Sequence, residues 1–142
     1  MPDEVLHPLS TEVSRVKCIQ SANAYYALTA GTGDTLAVSH LLDVVYTAYF
    51  INEMIDGKFP IEVFRVAGAA LHECAVSGER SGKFDIPVAP LTEIQLVLSL
   101  YLYHLTRVPT FIHTSAEERA ATFLSIDSDS PTPREPTQQP MN

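Results

Sequence analysis

The chain is 142 residues long, 46% hydrophobic and carries a formal net charge of −8, the size of one ordinary domain with enough apolar material for a core that needs no metal or disulfide. An acidic chain is not drawn to phosphate backbones or anionic lipid, so neither nucleic acid nor a membrane is an expected partner. Two cysteines without a CxxC spacing, Cys18 and Cys74, exclude a disulfide-built scaffold.

Taken in chain order, residues 1–9 form an N-terminal arm and residues 10–125 a helical domain. The first helix is predicted from about Ser10 to Ala30, with Ser10 or Thr11 as cap and Glu12 in the first turn. Val13, Val16, Ile19 and Tyr26 give it a broken apolar stripe. Asp34 then precedes "TLAVSHLLDVVYTAYFINEMIDG", which reads as a long helix stopped by Gly57 in the left-handed conformation. Leu41, Val45, Ala48, Ile51 and Ile55 recur at helical spacing, and Leu42, Tyr46, Tyr49 and Phe50 extend the apolar surface around most of the circumference. Such a helix belongs at the centre of a fold or inside an oligomer.

Pro60 opens a third helix, "PIEVFRVAGAALHECAV", whose Ala67-Gly68-Ala69-Ala70 patch lets another helix approach closely. Residues 83–88 are expected to cross the bundle in extended form, between Gly82 and the prolines at 87 and 90. Pro90 to Val108 is the fourth helix and also apolar on most sides. Thr114 with Glu117 and Ser115 with Glu118 are two overlapping capping boxes that predict a short fifth helix. Residues 126–142, rich in Pro, Ser, Gln and charge, are expected to form a disordered tail. The fold class that follows is an all-α bundle of about five helices.

Chemistry-bearing motifs are few. Gly31-Thr32-Gly33-Asp34 resembles the anion-hole motif of ribokinase-type sugar and vitamin kinases. That resemblance implies a phosphate cradled by Gly31 and Gly33, with Asp34 as the base that activates the acceptor hydroxyl. "AALHECAVSGERSGKFDIPVAP" has a cadence loosely similar to the end of pyridoxal kinases. The same four residues also suit a helix stop followed by an aspartate cap, and the chain before Gly31 is too short to supply the parallel sheet of such a kinase. Arg107 and His113 have the separation used by some all-helical ribonucleases, Arg to hold phosphate and His to move a proton; the alternative is a capped helix end followed by a surface histidine. His7, His40, His72, His104 and His113 show no metal-binding spacing, and no Gly-x-Ser-x-Gly elbow is present. No cofactor or metal is therefore expected.

With two broadly apolar helices and little organised chemistry, the sequence points to a small acidic, non-enzymatic regulator that acts by protein–protein interaction, such as an anti-activator or inhibitor. A homodimer, a protein partner, or both are expected, with Tyr46, Tyr49, Phe50, Tyr101 and Tyr103 as the interface candidates. The acidic start and the lack of an apolar run of about 20 residues give a cytoplasmic location as the expectation.

Overall fold

The computed structural model describes residues 6–129, with side chains as far as residue 126. The expectation of disorder for residues 130–142 lies outside the described residues. Five helices follow one another: α1 (Thr11–Thr29), α2 (Thr35–Met54), α3 (Ile61–Ser81), α4 (Leu91–Leu105) and α5 (Thr110–Asp129). They form an all-α bundle, and the only pairing outside helices among the described residues is two isolated antiparallel bridges, Pro8 with Pro109 and Gly33 with Phe84.

α2 is the axis of this bundle. Each of the other four helices packs against it, which accounts for its breadth of apolar surface. Val38, Leu41, Val45, Ala48 and Ile51 are almost wholly buried, and each of the larger ones stabilises the fold by about 1.5–3 kcal/mol relative to an exposed side chain. One protomer therefore buries the aliphatic core of α2 by itself. α3 approaches it closely through the predicted small patch: Ala67, Gly68 and Ala70 are buried, and a methyl group added at Gly68 would come within 3.2 Å of the Tyr46 hydroxyl oxygen.

α1 faces the opposite way from its apolar stripe. Val16, Ile19 and Tyr26 are 50%, 51% and 72% exposed, whereas Ser14, Ser21, Ala24 and Leu28 are buried. The physical reason is a polar partner surface beneath it. Ser14 Oγ donates to the Leu105 carbonyl of α4 at 3.1 Å and Lys17 Nζ meets Glu117 of α5 at 2.8 Å, while Ser21 Oγ folds back on its own helix, donating to the Lys17 carbonyl at 2.9 Å, and lies 3.4 Å from His40 Nε2 of α2. Small hydroxyl side chains fit there and are satisfied; a branched aliphatic residue at position 14 or 21 would remove the partner of the Leu105 carbonyl or of His40.

Several boundaries differ from the predicted ones. The left-handed residue that ends α2 is Asp56 (φ 54°), not Gly57. Gly57 stands one position later, donating its N–H to the Asn52 carbonyl at 2.7 Å, in the hydrogen-bond pattern that commonly closes a helix. α5 begins at Thr110, four residues before the capping boxes, because the Pro109 carbonyl already accepts from the Ile112 and His113 N–H groups. The N-terminal arm secures that start: the Thr110 N–H and hydroxyl both donate to the His7 carbonyl, at 2.7 and 2.8 Å. Thr114 and Ser115 consequently lie inside the helix, and α5 continues to Asp129, past the expected start of the tail.

Asp56 carries a left-handed backbone that costs a residue with a Cβ more than it costs glycine. Asp56→Gly is expected to raise stability by about 0.5–1 kcal/mol, read as a higher urea midpoint with an unchanged slope.

Candidate functional site

The glycine–aspartate joint between α1 and α2 has a complete structural account. Gly31, at φ 82°, takes the left-handed position after α1, and the Thr32 N–H closes the helix on the Ala27 carbonyl at 2.9 Å. Gly33 lies so close to Leu28 that any Cβ would overlap its side chain. Asp34 Oδ1 accepts the Ala37 N–H at 3.0 Å and caps α2. The segment joining α3 to α4 runs over the same joint: Phe84 bridges to Gly33, Ile86 is buried, and an Asp85 carboxylate oxygen stands 3.8 Å from where a Cβ at Gly31 would lie. A carboxylate at that position repels a phosphate rather than inviting one.

Arg107 and His113 face different environments. The Arg107 guanidinium stacks over the exposed Tyr103 ring, 4.3 Å from its centroid, as in a cation–π pair. His113 is only 1% exposed, and its Nε2 lies 3.0 Å from the His104 carbonyl. It is thus an interior residue of the first turns of α5, not the surface histidine of the alternative reading, because the early start of the helix turns it towards the core.

His113 belongs to a polar seam that the sequence did not reveal, beneath α1 and between α2, α4 and α5. Ser21 Oγ lies 3.4 Å from His40 Nε2. His104 is buried as well, and the Nδ1 atoms of His104 and His113 have no hydrogen-bond partner. Burial lowers the basicity of His104 to a pKa of about 4, with His113 adding to the effect. Burial also lowers His113, opposed by its bond to the His104 carbonyl, lowers His40 and raises Asp43. Among the described residues no three or more His, Cys, Asp or Glu side chains are grouped to hold a metal ion.

The five interface candidates separate into three places. Tyr101 is 4% exposed and part of the core, where burial raises its phenol pKa further. Tyr103 is exposed on the far side of α4. Tyr46, Tyr49 and Phe50 come together, half-buried, as the floor of a groove. α3 and α5 both pack along α2 without forming a substantial contact with each other, and the gap between them leaves a cavity of about 440 Å³. Phe64 and His72 of α3 form one wall and Phe123 of α5 the other. The rings touch in sequence: Tyr46 and Phe123 at 4.9 Å, Phe123 and Phe50 at 6.5 Å, Phe50 and Tyr49 at 5.1 Å, Tyr49 and Phe64 at 5.6 Å, Phe64 and Phe59 at 5.2 Å. Polar groups sit at its edges. Tyr46 Oη is 3.3 Å from His72 Nε2, and the Tyr49 hydroxyl donates to Glu53 at 3.3 Å.

Phe59, Phe64 and Phe123 did not stand out in the sequence, since they lie on three different segments and none has a motif; His72 is there only one of five histidines without metal-binding spacing. The one signal for them was the aromatic cluster on α2, which has to meet something. Comparison with protein-family models, with curated proteins and with solved structures finds no match in any of the three.

Two measurements test these assignments. If Asp34 acts as a cap, Asp34→Ala costs about 1 kcal/mol whereas Asp34→Asn or Asp34→Ser stays within a few tenths, by chemical denaturation. For the seam, the folded state holds His104 neutral, so its contribution is complete above the unfolded value of 6.5 and is lost as pH falls towards about 4. That window corresponds to about 3 kcal/mol, opposed in part by Asp43, whose raised pKa favours the folded state on protonation. The thermal midpoint is expected to drop between pH 6.5 and 4, with a shallower drop in His104→Leu.

Proposed function

We propose that this chain is a non-enzymatic regulator that sequesters a protein partner, as an anti-activator or inhibitor does, by taking an apolar segment of that partner into the aromatic groove. The observation that carries this reading is the groove itself. Five aromatic rings from α2, α3 and α5 line an open gap between helices and touch in an unbroken run that Phe59 of the α2–α3 connection extends. Large rings with few rotamers supply contact area at low entropic cost, which is why they concentrate at interface centres. The segments that suggested catalysis support the same reading from the other side: Gly31, Gly33 and Asp34 each have a helix-boundary role, and Arg107 and His113 point to different surroundings.

Self-association has a separate candidate surface. Gln95 of α4 donates to the Tyr25 hydroxyl of α1 at 2.7 Å, which sets these helices side by side. Ile19 and Tyr26 on α1, with Leu96 and Leu102 on α4, are exposed apolar residues of this adjacent pair. We assign the proposed homodimer to this face, because the aliphatic residues of α2 are buried within one protomer and its half-buried aromatic ones line the groove.

Phe50→Asp in the full chain is expected to abolish retention of a host protein that the unaltered chain captures, with helical circular dichroism preserved. Capture that survives Phe50→Asp overturns the groove as the binding site. Ile19→Asp is expected to convert the dimer mass to that of a monomer by light scattering, leaving capture intact.

A further inference from the structure

The sequence beyond α5 is rich in proline. α5 ends at Asp129, and the thirteen residues that follow read "SPTPREPTQQPMN". Pro131, Pro133, Pro136 and Pro140 make this the most proline-rich part of the protein, and Pro133-Arg134-Glu135-Pro136 is a Pro-x-x-Pro sequence. Aromatic-lined grooves are the established receptors for such sequences, because a polyproline helix is already extended, loses little entropy on binding and presents its rings on one ridge.

We propose that the aromatic groove binds residues 131–140 of the same chain, and that an external partner must displace them. This rests on the groove being the partner site proposed above. Three observations support the choice of occupant. First, the tether is short and starts beside the groove. Phe123, one wall of the groove, precedes the end of α5 by six residues, or about 9 Å of helix rise, and the thirteen residues beyond can span roughly 40 Å in polyproline form. Second, the scale is suitable. Pro133 and Pro136, three residues apart in a three-fold helix, recur at about 9 Å, so both can meet rings of a run whose successive centroids lie 4.9–6.5 Å apart. Third, charged groups stand at the rim. Arg134 and Glu135 lie between those prolines, and Arg65, which lines the groove, forms with Glu62 a well-exposed pair at 3.4 Å that can exchange partners with them.

The consequence is regulatory. A tether of this length holds its segment at an effective concentration on the order of 1 mM, so a segment with Kd about 0.1 mM fills the groove about nine-tenths of the time. An external ligand of the same groove then binds about tenfold more weakly than to the empty groove.

The test uses the full chain with 3-fluorotyrosine incorporated, compared with the same chain carrying Pro131→Ser, Pro133→Ser and Pro136→Ser. These changes lie outside α5, and unchanged helical circular dichroism verifies the fold. Fluorine resonances of Tyr46 and Tyr49, assigned with Tyr46→Phe and Tyr49→Phe, are expected to shift in the triple variant while Tyr103 stays in place. The shift is independent of protein concentration, and a peptide of residues 130–142 added to the triple variant reverses it. Unmoved Tyr46 and Tyr49 resonances overturn the proposal. So does a shift that grows with concentration, which assigns the groove to the segment of a second copy. A shift accompanied by undiminished partner capture in Phe50→Asp leaves the intramolecular contact standing and removes the groove from the proposed function.

Discussion

Everything in this bundle is organised by the need to cover α2. A helix with apolar residues around most of its circumference loses stability wherever it meets water, and four neighbours are needed to surround a cylinder about 10 Å across. The chain supplies four, but the packing is uneven. α1 and α4 lie side by side, α3 and α4 pack together, and α3 and α5 share α2 without closing on each other. The groove is the remaining gap in that shell. Its floor is made of Tyr46, Tyr49 and Phe50, side chains long enough to reach past the helix that would otherwise have covered them.

The opposite side of α2 shows a different solution to burial. There the contact with α1, α4 and α5 includes Ser14, Ser21, His40, His104 and His113; the two serine hydroxyls and one nitrogen each of His40 and His113 are satisfied by carbonyls or by one another, whereas the Nδ1 atoms of His104 and His113 are not. Desolvation keeps the histidines neutral, so the seam holds together without buried charge. It also dictates the orientation of α1. With Ser14, Ser21, Ala24 and Leu28 turned inward, Val13, Val16 and Ile19 are left on the surface.

The Gly31–Asp34 joint shows why a short motif says little without its surroundings. Glycine beside a helix start is what a phosphate site requires and also what a tight helix-to-helix turn requires. Here the turn geometry, the close approach of Leu28 and the neighbouring Asp85 carboxylate answer to the second need. The decisive residue, Asp85, is more than fifty positions away in the chain and was invisible to local inspection.

The helices themselves were legible from periodicity, caps and breakers. Ser10 and Asp34 cap α1 and α2, the small patch of α3 meets α2, and Phe84 crosses to Gly33 in extended form, each for reasons local to a few neighbouring residues. Helix ends were less legible where tertiary contacts act on them. Asp56 takes the left-handed position that Gly57 was expected to fill, and α5 starts early because the N-terminal arm reaches across to Thr110. By itself the sequence determined that the chain is a bundle of helices with one that must be enclosed, since hydrophobic period and capping act over a single turn or two. Only the tertiary structure decided which faces are turned inward and which aromatic rings share a groove, because those depend on what each helix finds opposite it, and residues as far apart as Tyr46 and Phe123 become neighbours only when the bundle closes.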